Sequence, residues 1–146
     1  MEVADRIGVM DIHLNWLAIL CAGVAYWVLG FVWYSLLFGG IWGGEQEKHR
    51  REMRMPATKE FVGMLIATFV ANLVASAAIA YLLHRTGTSD IQHALKLAAG
   101  LAVGFSITTL TVVHTWEGKS TKVWVIDASY HLLGCMIAAM ILVSWQ

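Results

Sequence analysis

The sequence predicts an all-α protein, a four-helix transmembrane bundle, and three observations carry that expectation. Four apolar stretches, near residues 14–38, 61–83, 95–115 and 123–145, run almost end to end through the 146-residue chain. A helix rises about 1.5 Å per residue, so roughly 20 apolar residues cross the roughly 30 Å hydrocarbon layer. Hydrophobic residues make up 58% of the chain and charged residues 14%, and the mean hydropathy is +0.64. That balance excludes ordinary soluble usage. The stretches are also apolar on every face, whereas a soluble helix keeps one face for water. The connections are short, so one integral membrane domain over residues 1–146 is expected, with no room for a soluble domain.

Taken in order, the first residues carry Glu2 and Asp5 where a signal peptide has a basic region, and no cleavage is expected. A short amphipathic surface turn over residues 1–12 is the less favoured reading of that segment. The first span is rich in aromatics: Trp16, Tyr26, Trp27, Phe31, Trp33, Tyr34 and Phe38. With Trp42, Trp124 and Trp145, they read mainly as a belt at headgroup level. The first connection mixes charges of both signs, with Glu47 and Arg51 spaced as in one helical turn and Pro56 ending it. It reads as a surface hairpin, its basic residues favouring anionic lipid.

The second span repeats alanine at 67, 71 and 75, and the third carries Gly100 and Gly104. Such stripes let backbones approach closely, so these two spans are expected to pair tightly. Cys21 and Cys135 both fall inside spans and read as small apolar fillers rather than a disulfide.

Orientation follows from the basic residues near span ends. Lys48, Arg50, Arg51, Arg54, Lys59, Lys119 and Lys122 lie with the first and third connections; Arg6, Arg85 and Lys96 lie at the other end. Seven against three places the first connection in the cytoplasm and both termini outside it.

Function is sought where the sequence tolerates an expensive residue inside the bilayer. Asp127 is the most expensive, about 6 Å into the last span. His131 lies one turn deeper on the same face, with Tyr130 beside them and Gly134 continuing that face. An ionised carboxylate there needs a cation or hydrogen-bond donors, or must take up a proton. Thr108, Thr109, Thr111 and His114 on the third span lie at similar depth, Asn72 on the second somewhat deeper, and Trp33, Tyr34 and Ser35 on the first. All four spans thus bring polar groups to one half of the bundle, while the other half is mostly Ala, Leu, Val and Gly.

Three readings compete. In the first, these groups bond to one another and fix helix register. In the second, Asp127, His131, Tyr130, Asn72, Trp33, Tyr34 and Thr111 line a polar pocket, open to the cytoplasm, for a small solute or ion. In the third, His114, Glu117, Asp127 and His131 hold a transition metal, the spacing of each pair presenting two ligands from one helix face. Haem would need His114 and His131 at one depth on facing helices. No cofactor is the leading expectation, with metal or haem as the exception. No nucleophile–base pair, phosphate-binding glycine loop or zinc-protease motif is present, so an enzyme is the less favoured class. A formal net charge of +0 gives no support to nucleic-acid binding.

The segments His13-Leu-Asn-Trp-Leu-Ala-Ile-Leu, Leu29-Gly-Phe-Val-Trp-Tyr-Ser, Glu117-Gly-Lys and Trp124-Val-Ile-Asp-Ala-Ser-Tyr-His resemble a bacterial four-span membrane family. It is catalogued as a domain of unknown function, number seventeen sixty-one. The resemblance covers nearly the whole chain. It carries over Asn15, Trp16, Gly30, Trp33, Tyr34, Glu117, Gly118, Asp127, Tyr130 and His131; His114 and Trp116 stand outside the pattern. It implies the fold and a bacterial inner membrane, but no activity. The partners expected are the lipid bilayer and either further copies of the chain or a larger membrane complex.

Overall fold

The computed structural model describes residues 14–49 and 58–145. The surface turn weighed over residues 1–12, the Glu47–Arg51 pairing and the stop at Pro56 lie outside the described residues. Among the described residues there is no strand, and four helices are long and apolar enough to cross a membrane: Trp16–Leu37 (S1), Thr58–Arg85 (S2), Ile91–Glu117 (S3) and Thr121–Ser144 (S4).

Each span starts or stops where its local chemistry dictates. Asn15 caps S1, its Oδ1 accepting from Ala18 N at 3.1 Å. Its Nδ2 donates to the Trp145 carbonyl at 3.3 Å, tying the start of S1 to the end of S4. S1 runs as α1 (Trp16–Phe31), then opens into a π-helical turn over Val32–Leu37. A shorter helix, α2 (Gly39–His49), follows Phe38. S2 is one uninterrupted helix, α3. Asp90 caps S3, accepting from His93 N at 3.0 Å. S3 comprises α4 (Ile91–Leu101), a second π-helical turn over Ala102–Ile107, and α5 (Thr108–Glu117). Gly118 ends it at φ +64°, a left-handed conformation that L side chains rarely adopt. Ser120 then caps S4, which is α6.

S4 is the centre of the bundle. Of its apolar window 44% is buried, against 33% for S1 and 17% for each of S2 and S3. S1 packs on both S2 and S4, S3 packs on S4, and S2 and S3 barely touch. The tight S2–S3 pair expected from the small-residue stripes is therefore not formed. Ala67, Ala71, Gly100 and Gly104 face outward, and a Cβ at either glycine would meet nothing within 4 Å.

Close packing uses other small residues. Ala94, Ala98 and Ala102 on S3, Ala138 and Ala139 on S4, and Ala22 on S1 are all fully buried. The fourfold spacing was the right signal, applied to the wrong face: Ala94, Ala98 and Ala102 repeat it toward S4, while Gly100 and Gly104 repeat it outward. The buried residues of S2, Asn72, Ser76, Ile79, Ala80 and Leu83, all lie in its second half, and Trp27 of S1 also meets Thr68 and Phe69. Its first half, Phe61 through Thr68, is exposed throughout. Both cysteines are free thiols, in keeping with their reading as fillers.

Candidate functional site

The polar groups converge along one side of S4, in the half of the bundle nearest the first and third connections. At the centre stands Asp127, whose side chain is 15% exposed. Its Oδ1 accepts from the Tyr34 hydroxyl at 2.8 Å, and its Oδ2 lies 3.1 Å from His114 Nε2. The three residues come from S1, S3 and S4. Two of them are placed by a local break: Tyr34 sits within the π-helical turn of S1, and His114 in the last turn of S3 before Gly118. The carbonyl of His114 accepts from Lys119 N at 3.1 Å, closing that helix end.

Asp127 has no Lys or Arg partner among the described residues. The imidazole of His114 is 5% exposed, and its Nδ1 is buried with no hydrogen-bond partner. A proton on Nδ1 would be an unpaired buried donor, which is costly. The neutral form carrying its proton on Nε2 avoids that cost and donates to Asp127. Tyr34 and His114 are thus the two side chains that meet the Asp127 carboxyl among the described residues. One further polar atom of this region is unpaired: Trp42 Nε1, on a ring that meets that of Tyr34 edge-on with centroids 5.2 Å apart.

Around this centre the other polar groups bond in separate sets. Trp33 Nε1 donates to the Ile126 carbonyl at 3.0 Å. Asn72 Nδ2 donates to the Tyr130 hydroxyl at 3.0 Å. His131 does not join Asp127; its Nδ1 lies 2.9 Å from the Tyr26 hydroxyl, which also approaches Cys135 Sγ at 3.7 Å. The rings of Tyr34, Tyr130 and Tyr26 connect the sets, with centroids 5.2 and 5.4 Å apart. Two glycines make room for this column. A Cβ on Gly30 would stand 3.1 Å from the Tyr130 hydroxyl, and one on Gly134 would fall within the Tyr26 ring.

Of the residues expected to line a pocket, Tyr34 meets Asp127, Asn72 meets Tyr130, Trp33 meets the Ile126 carbonyl and His131 meets Tyr26. Thr111 stands apart: it is exposed, bonds its own helix at the Ile107 carbonyl, and accepts from Trp124 Nε1 at 3.0 Å. Thr108 and Thr115 likewise bond backwards along S3, the way hydroxyls satisfy themselves on a lipid-facing helix. Glu117 is exposed and pairs with Lys119 at 2.5 Å rather than turning toward Asp127. The four residues read as metal ligands therefore bond in three separate places. No group of three or more His, Cys, Asp or Glu among the described residues is placed to hold a metal.

The sequence reading missed Tyr26, which it assigned to the interfacial belt. The residue is 2% exposed and lies mid-span. Its distance from either end of S1 was the available signal, since belt aromatics sit at headgroup level.

Two hollows of the described chain stand out. One, of about 350 Å³, lies at the end of the bundle that holds Asn15 and Trp145, and Ala18, Ala80 and His84 also line it. The other, of about 320 Å³, lies between Phe38, Ile41, Thr121, Lys122, Val125 and Ile126. It opens beside the residue preceding Asp127.

Four apolar spans surrounding an ionisable centre define a multi-pass helical membrane protein. The chain belongs to the family described as protein of unknown function DUF1761, which it matches over residues 17–143. No curated protein and no solved structure matches it.

Proposed function

We propose that this protein binds a small cation, the proton first among them, at Asp127. The observation that carries the reading is an intramembrane carboxyl met by the Tyr34 hydroxyl and the His114 ring, with no Lys or Arg partner among the described residues. An intramembrane carboxylate of this kind is expensive unless a cation visits it. The unpaired Trp42 Nε1 and His114 Nδ1 add one donor and one acceptor for a small solute carrying the charge.

From Asp127 to Cys135 the column covers nine residues of S4, about 12 Å of the roughly 30 Å hydrocarbon layer. It serves entry from one side. Passage through the whole bilayer then requires a second copy or a partner to complete the path, and the outward S2 and S3 faces leave surface for one. We place the protein in a bacterial inner membrane, with the first connection in the cytoplasm, on the seven-to-three distribution of basic residues.

Proteoliposomes loaded with a pH-sensitive dye test this reading. The native chain is expected to change lumenal pH under an imposed gradient, and Asp127→Asn to abolish that flux while remaining folded. Equal flux in both proteins would remove Asp127 from the mechanism.

A second reading, a structural subunit of a larger membrane complex, is favoured by the exposed first half of S2. Under it, Asp127→Asn changes thermal stability or assembly in detergent and leaves no flux to lose. A metal or haem reading draws less support, because of its four ligand candidates only His114 and Asp127 meet. Elemental analysis and an absorbance scan of the purified protein address it.

A further inference from the structure

The hollow between α2 and the start of S4 has a character that the Asp127 centre does not use. Its walls are Phe38, Ile41, Val125 and Ile126, and its rim carries Thr121 and Lys122. From Phe38 to Gly44 the α2 wall holds no charged residue. Val125 and Ile126 lie within about two turns of the start of S4, so the hollow sits where acyl chains meet headgroups. Trp33 meets Phe38 in a tilted ring contact at 4.8 Å and donates to the Ile126 carbonyl, so two of the walls are held in place.

The rim is positive. Lys119 is engaged by Glu117, but Lys122 forms no ion pair among the described residues. It stands in the first turn of a 24-residue helix, where the helix dipole is positive and the first amides lack intrahelical partners. Ser120 Oγ takes only the amide of Val123.

We propose that this hollow is a binding site for one anionic phospholipid, its acyl chain against Phe38, Ile41, Val125 and Ile126 and its phosphate at Lys122 and the start of S4. The volume is close to the lower bound of small-molecule sites, about 300 Å³. The occupant is chosen by charge: an apolar slot lined by the stem of the unpaired Lys122, beside the start of S4, favours an anionic lipid over a zwitterionic one.

Native mass spectrometry of the full chain, released from detergent containing equal phosphatidylglycerol and phosphatidylcholine, tests the assignment. The native protein is expected to retain phosphatidylglycerol about fivefold better, the preference one lysine gives at an anionic surface. Lys122→Gln should bring the two lipids level, while Lys119→Gln, at a lysine already paired with Glu117, should leave the preference in place. Val125→Trp, which fills the slot, should reduce retention of both lipids, with circular dichroism confirming the helices. Equal retention by the native chain, or an undiminished preference in Lys122→Gln, would overturn the proposal. So would a dimer mass that Val125→Trp abolishes, since a second copy would then be the occupant. Soluble glycerol phosphate should not displace the lipid; displacement would show a headgroup site without the slot.

Discussion

Gly134 shows how narrowly the centre is packed. The Tyr26 ring lies where a side chain at 134 would begin, and both residues are buried. Gly134→Ala must displace that ring from His131 and Cys135. Overpacking of this kind costs about 1–3 kcal/mol, and thermal unfolding in detergent should register it. Gly100→Ala, with open space around its Cβ, should change little by the same measurement. Tyr34→Phe removes one of the two donors to Asp127. Interhelical hydrogen bonds in membranes average about 0.6 kcal/mol and reach about 1.7, so a loss within that range is expected. A larger loss would mean that Tyr34 also holds the π-helical turn in which it sits.

At the scale of elements, the caps decide where the spans begin. Ser120→Ala should cost about 1 kcal/mol by freeing the start of S4, the helix on which the rest is assembled. Asp90 caps S3 from an exposed position, and its carboxyl is held below the ordinary carboxylate range, first by the His93 amide and then by the His93 ring. A depressed folded-state value means that the stabilisation is present at neutral pH and is lost as pH falls through the folded value. The stability difference between the native chain and Asp90→Asn should therefore hold at pH 7 and vanish at strongly acid pH, below the ordinary aspartate value of about 3.9. A difference that persists in acid would show that the cap does not depend on charge. The two π-helical turns, Val32–Leu37 and Ala102–Ile107, had no sequence signal. Neither holds a proline, and both leave the apolar pattern unbroken.

Over the whole molecule, the spans were legible because hydrocarbon imposes its thickness on the chain. Their observed ends at 16–37, 58–85, 91–117 and 121–144 follow from that constraint together with the Asn15, Asp90 and Ser120 caps. The partnering of spans was less legible. Small-residue spacing occurs on more than one face of S3, and only packing shows that Ala94, Ala98 and Ala102 meet S4 while Gly100 and Gly104 do not. The site was half legible for a related reason. Depth in the membrane can be counted along a helix, so Asp127, Tyr130, Asn72 and Tyr34 were found. Rotation about each helix axis cannot be counted with the same certainty, which sent Thr111 outward, turned His131 to Tyr26 and brought His114 to Asp127. The off-centre bundle, with S2 splayed over its first half, also leaves area for a second copy. Cross-linking at Ala67→Cys should capture a dimer if that face is shared, and should give monomer alone if lipid covers it.

The account turns on Asp127 as a carboxylate that gains and loses a cation within the span. Infrared difference spectra of the reconstituted protein, recorded across a pH titration, observe that group directly. A carboxyl band that converts reversibly with pH in the native chain and is missing from Asp127→Asn is the expected result. Identical spectra for the two proteins at every pH would contradict it, leaving the polar column as a device for helix register alone.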